Sequence, residues 1–320
     1  MNRPEELAAW QLFRWNWVVL GLMAVALAAA LALTGFSIAP DSALKPAAIV
    51  GAYIGYAYYS CCRRKDSDPK VIFILGSTGQ VLLIPVLMPP LTYVAAAADL
   101  PMQDAALHAL DRALGLDWMA WFNFFYERHA LLVATVLAYS MIGWPVFGVP
   151  LVLGWTRRYR RLQEFTMAFA IALVTTTVIS ALLPAMGTYD LLKFMPDPEV
   201  FTPGAYLAQL HDLPLVRDGT MRHLSFDSLA GIITFPSFHA AAAALYLWAF
   251  WPVRWVGPAA AVANIAMLVA TPIGGGHYFV DVIAGIAVAA FAIAAATAIA
   301  NRITGRTAAP AFAAVPVAAE

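Results

Sequence analysis

Two short stretches hold residue types able to move a group between oxygens. The first, FPSFHA, sets Ser237 and His239 at the mouth of an apolar run that continues to Trp251. The second, TPIGGGHYFVDVIAG (271–285), sets three glycines before His277 and a carboxylate, Asp281, four residues after it. Helix positions i and i+4 share a face, so Asp281 can accept a hydrogen bond from one imidazole nitrogen of His277 and fix its tautomer. The other nitrogen is then free to act, as in an activated nucleophile with its orienting group. Gly275 and Gly276 let backbone N–H groups approach an anion closely. Ser237 can cap the helix that follows it or bond an oxyanion.

The chemistry these types permit is transfer of a phosphate-like group. His277 would attack phosphorus and Asp281 would stabilise the imidazolium that develops. His239 would protonate the leaving oxygen and then deprotonate the acceptor. The scheme calls for no metal and no other cofactor. Two histidines and a carboxylate also match the ligand set of a facial iron triad, although the denser histidine clusters of membrane metal oxidases are missing. The other histidines of the chain's 6, at 108, 129, 211 and 223, read as loop or interfacial residues.

The elements that must hold these groups are apolar. The chain has 320 residues, 62% hydrophobic and 12% charged, about half the charge of a soluble domain. Net charge is zero, which offers no field for nucleic acid. The expected fold is an all-α polytopic transmembrane bundle, with about 8 spans at 17–36, 46–62, 71–96, 129–154, 164–185, 237–252, 255–273 and 278–300. The third contains MPP, so it is expected to kink or end at Pro89–Pro90. The GSTGQ segment before it, with Ser77, Thr78 and Gln80, reads as helix packing. Cys61 and Cys62 are adjacent and imply no disulfide framework. The loop 97–128 has helical spacing and clustered aromatics, which points to one or two interfacial amphipathic helices. The loop 186–236 is the most polar part of the chain, and the segment 303–320 reads as a disordered cytoplasmic tail.

Lysine and arginine set the orientation. With the N-terminus in the cytoplasm, 13 of the 19 basic residues fall on that side, including those of RRKDSDPK and TRRYRR. Helices beginning at His239 and His277 then start on the same far face, where free N–H groups favour an anion. For a bacterial inner membrane that face is periplasmic.

Taken together, FPSFHA and GGHYFVDVIAG resemble the second and third signature motifs of the type-2 phosphatidic acid phosphatase superfamily, whose scaffold is shared with vanadium haloperoxidases. Pro236, Ser237 and His239 match the Pro-Ser-x-His of the second motif. His277 and Asp281 match the His-x-x-x-Asp that ends the third. The resemblance implies a six-helix core over 71–302 with catalysis at one membrane face, and makes 1–70 additional transmembrane helices. The family's first motif, a Lys followed by Arg-Pro, has no match upstream of Pro236, and Ala270 and Thr271 stand where the third motif begins with Ser-Arg. That pattern resembles the inositolphosphotransferase branch, which includes inositol phosphorylceramide synthase.

A phosphate dianion still calls for positive charge. Arg217 and Arg222, in VRDGTMRHL, lie nearest the site in sequence and are the expected phosphate-binding cations, with Ser237, Gly275 and Gly276. The expected function is that of a membrane lipid phosphatase or phosphotransferase working through a phosphohistidine. Its expected partners are a lipid phosphate or phospholipid, the membrane and a lipid alcohol acceptor, with no nucleic acid. The alternatives are a catalytically inactive lipid-binding or transport protein and a vanadate-dependent oxidase on the same scaffold.

Overall fold

The computed structural model describes residues 3–63 and 68–305. The expected tail from 306 onward, and residues 64–67 of the RRKDSDPK loop, lie outside the described residues. The protein is an all-α polytopic membrane bundle. Its helices are α1 (Arg3–Thr34), α2 (Pro40–Arg63), α3 (Pro69–Ala96), α4 (Asp104–Ala113), α5 (Trp118–Tyr126), α6 (His129–Ser140), α7 (Trp144–Trp155), α8 (Tyr159–Leu182), α9 (Thr188–Leu191), α10 (Gly204–Arg217), α11 (Phe238–Phe250), α12 (Gly257–Gly274) and α13 (Phe279–Ile303). A 3₁₀ turn, Met141–Gly143, joins α6 to α7.

Each of the eight expected segments is helical, but they are not equally able to cross a bilayer. Among the described residues six helices are long and apolar enough: α1, α3, α6 with α7, α8, α12 and α13. Helix α2 has the length but carries Asp41 and Lys45 near its start. Helix α11 has 13 residues, a rise of about 20 Å against a hydrocarbon core of about 30 Å. It is a core helix. Ala240, Ala241, Ala242 and Ala243 are all fully buried, and their small side chains let α8, α12 and α13 close around it.

The expected end at Pro89–Pro90 does not occur: α3 continues through Pro85, Pro89 and Pro90 to Ala96. Pro85 and Pro89 line a cavity, and irregular helix hydrogen bonding is tolerated at membrane depth where it faces a cavity. A polar ladder holds α1 and α3 to α8. Asn16 Nδ2 donates to Gln163 Oε1 at 2.9 Å, Gln163 Nε2 donates to Ser77 Oγ at 2.8 Å, and Gln80 Nε2 donates to the Phe13 carbonyl at 2.8 Å. Ser77 and Gln80 are therefore helix-packing residues. The TRRYRR run does more than mark topology: Arg160 bonds Glu164 at 2.8 Å and Asn301 at 2.6 Å, tying α8 to α13.

The polar loop 186–236 is more ordered than its composition implies. It holds α9, α10 and a strand, β2 (His223–Leu224), paired in parallel with β1 (Ser37–Ile38) of the α1–α2 connection. The N-terminal helix pair is thereby fastened to the loop that leads into α11.

A close helix contact lies under the site. A Cβ built at Gly285 of α13 would overlap the carbonyl oxygen of Ser237 and press on Ala240. Gly285→Ala must therefore push α13 away from the start of α11, an overpacking strain of about 1–3 kcal/mol. Gly51→Ala on α2 would meet nothing within 4 Å and serves as the matched control. Thermal unfolding in lipid nanodiscs should show a lowered midpoint for Gly285→Ala and an unchanged one for Gly51→Ala; equal midpoints would contradict the close approach.

Candidate active site

The N-termini of α11 and α13 meet at one end of the bundle. The Ser237 N–H donates to the Asp281 carbonyl at 3.0 Å. Ser237 is the N-cap of α11, accepting from the Ala240 N–H at 3.3 Å. His239 follows two residues later, its ring stacked on Tyr139 of α6 with centroids 3.9 Å apart and planes 11° from parallel. That stack fixes the plane in which its nitrogens can work.

His277 bridges the two helix starts. Its Nδ1 lies 3.3 Å from Asp281 Oδ2 and its Nε2 lies 3.4 Å from Ser237 Oγ. Asp281 Oδ2 also accepts the Tyr278 N–H at 2.9 Å. Asp281 is fully buried, so its orientation is set by these donors rather than by solvent. An imidazole held this way by a carboxylate on Nδ1 presents Nε2 as its working atom.

The preceding glycines divide the labour. Gly275 faces the cavity beside His239 and His277. Gly276 turns away at φ +63°, where a Cβ would run into the Tyr189 ring. Its carbonyl accepts the Thr188 N–H at 2.8 Å. Tyr189 in turn donates to the Ile273 carbonyl at 2.8 Å. The loop before His277 is thus braced by α9 on one side and α12 on the other.

A cavity of about 250 Å³ opens in front of this cluster. Besides the histidines and Gly275, its polar groups come from Thr92 of α3, Tyr139 of α6 and Gln209 of α10. No Lys or Arg lines it among the described residues. Arg217 and Arg222 are not brought to it. Arg217 pairs with Asp99 at 2.6 Å and donates to the Leu100 carbonyl at 2.9 Å. Arg222 donates to the Val216 carbonyl at 2.7 Å and lies over the Phe36 ring. Both hold the 97–100 and 216–222 loops in place. His211 and His223 are likewise committed elsewhere, to Asp212 and Ser37.

The site also depends on two carboxylates with no local motif. Helix α4 is amphipathic, as expected, yet it turns Asp104 and Asp111 inward toward α13 and the 185–187 loop. Asp111 Oδ2 and Oδ1 accept the Phe279 and Val280 N–H groups, each at 2.9 Å, capping α13 from outside its own chain segment. Asp104 Oδ1 accepts from the Gly187 N–H at 2.8 Å and from the Tyr278 hydroxyl at 2.9 Å. Burial pushes the Asp111 carboxyl above the usual carboxylate range, with the two N–H donors pulling the other way. Burial, and then Asp104 beside it, likewise push the Tyr278 phenol up, so it stays a donor. The seven-residue spacing of Asp104 and Asp111 on one helix face was the available signal.

A family model matches this chain: that of the PAP2 superfamily, over residues 105–295, more than half of the sequence. No curated protein and no solved structure matches the chain. Helix α3 lies outside the matched region, yet it supplies Pro85, Met88, Pro89 and Thr92 to the cavity wall.

Removing the Asp111 carboxylate leaves two N–H groups at the head of α13 without their acceptor, at a cost of about 1–3 kcal/mol. Asp111→Ala should lower the unfolding midpoint and cut turnover about tenfold or more by loosening His277. Asp111→Asn, which keeps an acceptor, should recover part of both. Steady-state rates and melting curves measured together check this; a stable Asp111→Ala protein of unchanged rate would contradict it.

Proposed function

The chain belongs to the PAP2 superfamily, and from that premise we propose that it is a membrane lipid phosphatase or phosphotransferase that carries the phospho group on His277. The observation that supports this is the imidazole set between Asp281 and Ser237 at the edge of the cavity. In the first step Nε2 attacks phosphorus, the bond from phosphorus to the leaving oxygen breaks, and His239 gives that oxygen its proton. In the second, His239 takes a proton from water or an alcohol as that oxygen attacks. The phosphorus–nitrogen bond breaks and its electron pair returns to Nε2. Asp281 steadies the imidazolium of His277 between the two steps.

The charge of the cavity favours one class of donor. With no Lys or Arg on its walls among the described residues, and with the Thr92 hydroxyl and the Gln209 amide donating to the Pro89 and Ala185 carbonyls, an anion there must rely on helix-terminal N–H groups and the histidines. Desolvating a charge costs energy that rises with its square, so a dianion is penalised about four times as heavily as a monoanion. A phosphodiester phospholipid fits this cavity better than a phosphomonoester. Transfer to a lipid alcohol, in the manner of the inositolphosphotransferase branch, is the reading that follows. The lysine and arginine distribution supports cytoplasmic chain ends and a site on the opposite face, the periplasmic one in a bacterial inner membrane.

The test supplies purified protein in nanodiscs with phosphatidylinositol, phosphatidic acid or polyprenyl pyrophosphate, with and without diacylglycerol or ceramide. Inorganic phosphate, inositol phosphate and new phospholipid are all counted. We expect the fastest turnover with phosphatidylinositol plus an alcohol, and losses of about 10²-fold or more in His277→Ala and His239→Ala. Dominant hydrolysis of phosphatidic acid would refute the charge argument and keep the His277 chemistry. Parent turnover no higher than that of His277→Ala with every donor would refute the enzyme and leave an inactive lipid binder.

A further inference from the structure

A second cavity, about 530 Å³ in volume, lies between α1, α3 and α8. We propose that it holds a hydrocarbon chain of the same lipid whose phosphate sits before His277, and that Met88 forms the sill between the two spaces. The proposal rests on the functional reading above for the identity of the headgroup end.

Position supports it first. The groove is walled by the last turns of α3, with Leu91 and Ala95, and the last turns of α8, with Val178 and Ala181. Those same helix ends face the catalytic cavity through Pro89 and Thr92 of α3 and Leu173 of α8. Met88 lines both spaces, and on α8 the neighbours Leu173 and Val174 face one each. The two cavities therefore share a wall residue, Met88, whose flexible thioether can move aside.

Chemistry supports it second. The one hydroxyl in the groove wall is that of Thr177, and it is already spent on the Leu173 carbonyl at 2.8 Å. No polar group is left to bind a headgroup, a sugar or a peptide, and a methylene chain needs none. The wall runs from residue 88 to residue 95 on α3, a length of about 10 Å, which suits the first part of an acyl or prenyl chain.

A different mouth reaches His239 between α6 and residues 201–205. It is lined by Ser140 and Thr202, whose hydroxyls donate to the Val136 and Pro198 carbonyls, and it is separate from the groove. The groove also uses α1, which lies outside the matched family region. Lipid tails are as apolar as these side chains, so the groove selects by shape and not by hydrophobicity. Helix α1 is accordingly a determinant of chain length and branching.

The test compares dipalmitoyl and dihexanoyl phosphatidylinositol as donors for the parent, Ala26→Trp, Ala181→Trp and Ser140→Trp. Ala26 and Ala181 line the groove, and Ala26 is open to the bilayer side of α1, so an indole there is tolerated by folding. Filling the groove should raise KM for the long-chain donor about tenfold or more while leaving the short-chain donor and kcat nearly unchanged. Ser140→Trp should not discriminate between them. Equal effects on both donors, or chain-length selectivity in Ser140→Trp alone, would overturn the proposal.

A second readout does not need turnover. Phosphatidylinositol and diacylglycerol with the same photoactivatable chain are crosslinked to the parent and the labelled peptides are counted. Heavier labelling of residues 19–26 and 174–182 by the phospholipid supports the groove, even if the donor panel shows no reaction. Equal labelling by both probes means ordinary bilayer contact and overturns it.

Discussion

Asp281 is a carboxylate without access to water, at the head of a helix in a membrane bundle. Such a group is tolerable only where the fold itself supplies donors. It accepts from the His277 imidazole and from the Tyr278 N–H on the same oxygen. Its contact with Nδ1 orients His277 and leaves Nε2 toward Ser237. In the proposed reaction that orientation is what makes Nε2 the attacking atom.

The rest of the structure can be followed outward from there. The α13 N-terminus must sit against α11, which requires Gly285 at the crossing and alanines along α11. Its remaining N–H groups must find acceptors, which Asp111 supplies from α4. The glycine loop before His277 must hold its turn, which Thr188 and Tyr189 enforce from α9. The α9–α10 region must then be anchored, which the short β1–β2 pairing does by tying it to the N-terminal helix pair. Each of these elements limits the freedom of the next. A cavity with two histidines at its floor is the outcome.

What the sequence made legible follows from range. Long apolar runs marked all eight helical segments, and the aromatic, helix-spaced 97–128 stretch marked α4 and α5. The local patterns FPSFHA and GGGHYFVD singled out Ser237, His239, His277 and Asp281, which the fold gathers at one place. Local reasoning failed where a partner is distant. Arg217 and Arg222 looked like phosphate clamps because they are near in sequence, but Asp99, Leu100 and Val216 already occupy them. Asp111 caps a helix 168 residues away, and its spacing from Asp104 marks a shared face without saying which helix meets it. The expected end at MPP failed for the converse reason: proline disfavours a helix locally, yet α3 continues through all three prolines, with Pro85 and Pro89 on a cavity wall.

The central claim is that His277 carries the phospho group. Its most direct test is rapid chemical quench of the enzyme with phosphorus-labelled phosphatidylinositol, followed by mass spectrometry of the peptide around residue 277. With diacylglycerol as the leaving group, the peptide should carry a labelled, acid-labile phosphoinositol group on His277, formed within one turnover and absent from Asp281→Ala or greatly reduced in it. Steady turnover with no labelled group on His277 at any quench time would contradict this and point to direct attack by the acceptor.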